Sequence, residues 1–94
     1  MIFPLVKILK YDTGKQYEKI REEVKEFFDE DQHSDGEISE ALDIIQSVLT
    51  YITHEYTTQE IESAVGKHYR KIYNRKHNID KFLRILVEKH EYIG

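Results

Sequence analysis

Glu22-Glu23-Val24-Lys25-Glu26-Phe27-Phe28, followed after the turn signal Ser34-Asp35-Gly36-Glu37 by Glu40-Ala41-Leu42-Asp43, is the part of the chain from which the fold can be worked out. Acids and apolar residues recur there at three- and four-residue spacing, the period of an amphipathic helix. His33 lies midway between Glu26 and Glu40, and also midway between Glu23 and Asp43. A turn over residues 31–34 with antiparallel helices on either side would set Glu26 opposite Glu40. Glu23 would then face Asp43 about 4.5 Å farther along, at about 1.5 Å of rise per residue. Four carboxylates gathered in this way repel one another unless a cation or protons lie between them. Hard oxygen ligands suit Mg²⁺, with Mn²⁺ as an alternative ion.

Capping signals extend the pattern in both directions. Thr13-x-x-Gln16, Ser34-x-x-Glu37 and Thr57-x-x-Glu60 each read as a capping box, and Asn78 is a fourth candidate cap. The expected helices run over residues 14–30, 35–55, 58–76 and 79–91. Residues 2–11 lack a cap and contain Pro4, which makes them an extended arm. The fold expected is all-α: a four-helix bundle with a short extended N-terminal arm, in one domain over residues 1–94. The first helix has an apolar stripe at Tyr17, Ile20, Val24, Phe27 and Phe28, with Glu23 at its edge. The second has a broader arc that includes Ile38, Leu42, Ile45, Leu49 and Ile52, wide enough for more than one neighbour.

The two acidic stretches resemble the EExxE…ExxD motif of the all-α nucleoside triphosphate pyrophosphatases. That superfamily includes the MazG-like enzymes, the dimeric dUTPases and the phosphoribosyl-ATP pyrophosphatases. The resemblance spans roughly residues 17–76. The run Asp43-Ile44-Ile45-Gln46-Ser47-Val48-Leu49 is similar to the family's helix after its ExxD, and His68-x-x-Lys71-x-x-x-Arg75 looks like the basic segment found downstream in MazG-like proteins. The resemblance implies a Mg²⁺-dependent pyrophosphohydrolase that cleaves a (deoxy)nucleoside triphosphate to its monophosphate and pyrophosphate. Glu23, Glu26, Glu40 and Asp43 would hold the metal. Glu22 is the candidate general base, with Glu26 or Glu23 as alternatives, and Lys71 and Arg75 would bind the substrate phosphates. It also implies a homodimer or homotetramer. A phosphoribosyl-ATP pyrophosphatase shares the acidic motifs; the basic third helix with Asn74-Arg75-Lys76 leans to the MazG-like branch.

Composition narrows the field. Ninety-four residues suffice for one domain with a modest core, a size that often needs a partner subunit. The absence of cysteine excludes disulfides, thiolate zinc sites and cysteine nucleophiles. No two of the five histidines have the i,i+4 ligand spacing, which argues against zinc. The apolar run Met1 to Val6 is too short for a signal peptide or a membrane span, so a soluble cytoplasmic protein is expected, with no membrane partner. Residues 1–56 carry 6 Lys/Arg against 13 Asp/Glu, a net of −7; residues 57–94 carry 8 against 5, a net of +3.

Lys67, Lys71 and Arg75 follow one another at i, i+4, i+8 and form a cationic ridge on the third helix. Such groups grip phosphate oxygens, arginine as a fork and lysine as a point charge. Tyr69 and Tyr73 interleave the ridge, as in a nucleic-acid surface. The acidic whole and the helical spacing of Tyr69, Ile72 and Tyr73 favour a packing face, so nucleic acid is disfavoured as a partner. The acids admit a second reading too: a solvated helix face, with Lys19 and Lys25 pairing to neighbouring glutamates, in a non-catalytic helical interaction module.

Overall fold

The computed structural model describes residues 2–75, 86–87 and 91–92, with side chains for residues 4–75. Three helices carry the fold: α1 (Thr13–Asp29), α2 (Asp35–Glu55) and α3 (Thr58–Asn74). Helices 1 and 2 start and stop within a residue of expectation, and α3 ends two residues early. Helix α2 folds back along α1 through residues 30–34, where His33 takes a positive φ of 66°. A left-handed residue reverses the chain in few steps, and histidine is one of the side chains that adopt this conformation more readily than most.

The caps differ in detail from the sequence pattern. Asp12, not Thr13, caps α1: its Oδ1 accepts the Lys15 N–H at 2.9 Å. That frees the Thr13 hydroxyl to donate to Glu55 Oε2 at 2.6 Å, tying the start of α1 to the end of α2. Gln16, expected to close a box at that cap, turns inward and donates from Nε2 to the Ser47 carbonyl at 2.9 Å. Ser34 caps α2 by accepting from the Glu37 N–H, while the Glu37 carboxylate accepts from His33 N–H, one residue earlier than a reciprocal box would have it. Only Thr57 and Glu60, at the head of α3, close a full box among the described residues.

The fourth helix expected over residues 79–91 is not what the described part of that segment forms. Leu86–Val87 and Glu91–Tyr92 are strands. They pair in parallel with the N-terminal arm: Ile2–Phe3 (β1) with Leu86–Val87 (β3), and Val6–Lys7 (β2) with Glu91–Tyr92 (β4). An extended arm leaves its backbone N–H and C=O groups free, and these need partners. Leucine, valine and tyrosine suit a pleated surface, and tertiary pairing overrides weak local helix preference. The remaining residues of the expected helix, including the proposed cap Asn78, lie outside the described residues. The arm itself is extended, as Pro4 and the missing cap suggested.

The contact between α1 and α2 is sealed by polar side chains. The buried residues are Gln16, Glu23, Ser47 and Thr50; no apolar side chain among the described residues is buried. Ile20, Val24 and Phe27 are half-covered, but Phe28, expected in the stripe, is 76% exposed. On α2, Ile38, Leu42 and Ile45 face outward, and on α3 so do Val65, Tyr69 and Tyr73. The chain exposes 8047 Å², where a compact monomer of this mass exposes about 5,700 Å².

Candidate metal centre

The hairpin brings the predicted acids together. Glu23 on α1 and Glu40 and Asp43 on α2 each offer one carboxylate oxygen, and the three oxygens lie within 4.8 Å of one another. Glu23 is 4% exposed, far deeper than the stripe edge where helical spacing put it. Glu40 is half-buried and Asp43 exposed, which grades the cluster from interior to surface. Burial raises the Glu40 carboxyl above its ordinary value, and the neighbouring charges of Glu26, Asp43 and Glu23 raise it further. Glu26 therefore stands within electrostatic reach of Glu40, as the symmetry about His33 required.

One cation of the chain is already committed. Lys19 Nζ sits 2.6 Å from Glu23 Oε1, one helical turn earlier, and that contact raises the lysine above its ordinary value. It satisfies one oxygen only. Glu23 Oε2 and Glu40 Oε2 are buried without a hydrogen-bond partner. A buried carboxylate oxygen lacking a donor is costly and calls for an explanation. A hard cation supplies one, because oxygen is the donor that Mg²⁺ and Mn²⁺ prefer. Two oxygens on one Mg²⁺ are at most about 4.2 Å apart, so a spread of up to 4.8 Å would have to tighten for the three to share one ion.

The cluster opens into a cleft of about 290 Å³ lined by Val6, Ile8, Gln16, Lys19, Glu23 and Asp43, with Gln46, Ser47 and Thr50 on the α2 wall. The N-terminal arm forms its rim. Gln46 Nε2 donates to the Pro4 carbonyl at 2.9 Å, and His54 Nε2 accepts the Ile8 N–H at 3.1 Å. Of these lining residues, Lys19 and its i,i+4 pairing were legible in advance. Gln16, Gln46 and Ser47 were not: an amide or hydroxyl inside a helix carries no periodic signal, and their inward turn follows from helix–helix packing.

The other predicted site residues lie elsewhere. Glu22 is exposed on α1 and outside the three-acid cluster. Lys71 lines a second, more apolar groove of about 1120 Å³ between the end of α2 and α3, with Ile52, Tyr56, Ile61, Val65 and Tyr69. That groove shares no lining residue with the acid cleft. Arg75 caps the C-terminus of α3, its N–H donating to the Lys71 carbonyl at 3.0 Å, and its side chain is exposed. The structure thus unites three of the seven predicted residues, Glu23, Glu40 and Asp43, sets exposed Glu26 within electrostatic reach of Glu40, and leaves Glu22, Lys71 and Arg75 outside the cluster. No helix among the described residues is long and apolar enough to cross a membrane. The chain matches no family model, no curated protein and no solved structure.

Proposed function

We propose that the protein is a Mg²⁺-dependent pyrophosphohydrolase of the MazG-like kind, splitting a (deoxy)nucleoside triphosphate into monophosphate and pyrophosphate. The observation that carries this reading is the convergence of Glu23, Glu40 and Asp43, with Glu26 beside them, around two buried oxygens that lack partners. Glu23, Glu40, Asp43 and Glu26 would hold the ion, which, when bound, neutralises phosphoryl charge and acidifies a water. Lys19 holds Glu23 through Oε1 and leaves its second oxygen without a partner. The proton of the attacking water needs a carboxylate close by. Glu26, outside the three-acid cluster but close enough to act on the Glu40 charge, is nearer than Glu22 and would take this role where the ion leaves it free.

The same reading takes a second copy of the chain as part of the functional unit. Ile38, Leu42 and Ile45 on α2, and Val65, Tyr69 and Tyr73 on α3, form exposed apolar stripes at helical spacing. Another subunit would cover them, and obligate dimers bury about 2,000 Å² or more. The phosphate role of Lys71 and Arg75 then falls to the partner subunit's α3, whose basic ridge complements the acids of α2. A homodimer is the smallest assembly of this kind, and a homotetramer repeats the contact.

The test is a panel of deoxynucleoside triphosphates with Mg²⁺, read as monophosphate plus pyrophosphate. The expected result is turnover that needs the metal and disappears in Glu40→Gln and Asp43→Asn, with helical content unchanged. Undiminished pyrophosphate release by both variants overturns the site. Silence of the native chain across the panel, with no Mg²⁺-dependent thermal shift, favours the non-catalytic interaction module.

A further inference from the structure

The N-terminal arm is fastened over the acid cleft by a histidine in a single protonation state. His54 Nδ1 lies 2.7 Å from the Thr50 carbonyl, which can only accept, so Nδ1 carries the hydrogen. The Ile8 backbone N–H, which can only donate, points at His54 Nε2 from 3.1 Å. Both nitrogens are thereby assigned: the ring is neutral, with Nε2 unprotonated. Tyr11 stacks on the ring, centroids 4.4 Å apart and planes 16° from parallel, and holds it between the arm and α2. A proton on Nε2 would turn the acceptor into a donor facing another donor, while the bond to Thr50 survived.

The arm residues next to this contact form the cleft rim. Val6 and Ile8 line the cavity into which Glu23 and Asp43 open. We propose that His54 is a proton-sensitive latch, a positioning residue that holds the arm along the acid cleft when neutral and lets it go when protonated. The cation formed would face the Tyr11 ring, which stays neutral because burial raises its hydroxyl to about 12. On its own helix it would lie beside Glu55, whose carboxylate the Thr13 and Tyr11 hydroxyls hold below its ordinary value, and which therefore stays charged. On the arm, Lys7 is the charged residue adjacent to Ile8 in the chain. The arm has other tethers: Gln46 bonds Pro4 through a primary amide that does not titrate, and the backbone pairings of β1 with β3 and β2 with β4 involve no titrating group. The latch therefore acts on the segment around Ile8 and leaves the Pro4 end held.

The experiment follows the Ile8 amide by hydrogen exchange and its ¹⁵N–¹H signal, without nucleotide, between about pH 5 and pH 8, the range over which imidazoles change charge. In the native chain, protection at Ile8 corrected for intrinsic exchange should fall about five-fold on acidification, the worth of one typical hydrogen bond. His54→Gln offers a carbonyl oxygen that never protonates, so its Ile8 protection should not change with pH. Glu40→Gln should keep the native step, because the acid cluster is not the group being titrated. Flat protection in the native chain overturns the proposal. So does a step that persists in His54→Gln or vanishes in Glu40→Gln. None of these readings requires turnover, so they stand or fall separately from the pyrophosphohydrolase assignment.

Discussion

The α1–α2 hairpin and helix α3 are built from the same kinds of residues yet are held in opposite ways. The hairpin is fastened by directional bonds across the chain: Gln16 to Ser47, Thr13 to Glu55 and the Tyr17–Tyr51 hydroxyl pair at 3.0 Å. Helix α3 has none of its described residues buried and owes its start to a local capping box. The contrast teaches that one part of the molecule is specified within the chain, while the other presents an apolar and basic face outward. The acid cluster belongs to the first part and the predicted phosphate ligands to the second.

The sharpest way to break this division is at the cluster. Glu40→Gln or Asp43→Asn should lower Mg²⁺-dependent turnover at least about a hundredfold, several kcal/mol of lost charge stabilisation, while circular dichroism stays unchanged. Next in size is the outward face. Tyr69→Asp on α3, or Leu42→Asp on α2, should convert the proposed dimer to monomer in light scattering and leave the hairpin helical, because a charge in an apolar contact costs a few kcal/mol. Gln16→Ala, inside the hairpin, removes a buried hydrogen bond and leaves a gap; equilibrium denaturation should show a loss of about 2 kcal/mol. Thr57→Ala removes the cap of α3 and should cost about 1 kcal/mol, visible as faster amide exchange confined to that helix. The smallest effect is on pH. The folded Glu40 value lies above the ordinary one, so the metal-free protein binds an extra proton between the two and gains stability as pH falls through that window. Glu40→Gln should flatten that slope and raise metal-free stability at neutral pH, as a thermal melt would report.

Much of the hairpin was legible because its signals are local or symmetric. The placement of Glu23, Glu40 and Asp43 about His33 let a short turn bring those three acids together, since such a turn converts sequence distance into height along two helices. What could not be read was depth. Helical spacing put Glu23 at the rim of an apolar stripe and Phe28 within it, and the structure inverts the two: the acid is buried and the ring faces outward. Which side of a stripe is covered depends on the neighbour's direction of approach, and no periodicity contains that. The segment near Leu86 and Tyr92 failed for another reason. Its amphipathic spacing fits a helix, but its partner is an arm some eighty residues earlier, and pairing of that range leaves no local trace. The predicted phosphate ligands are a third case: their helix was foreseen, but not that it would direct Lys71 into a different groove.

A joint closed by amides, hydroxyls and a carboxylate has a thermal consequence. The heat-capacity increment of unfolding grows with the apolar area newly hydrated and is reduced by polar area. A single hairpin sealed through Gln16, Glu23, Ser47 and Thr50 would therefore melt along a shallow, nearly straight stability curve. Curvature should grow with the proposed subunit contact, so calorimetry over a dilution series would register that assembly as a growing bend in the curve, and its absence would count against it.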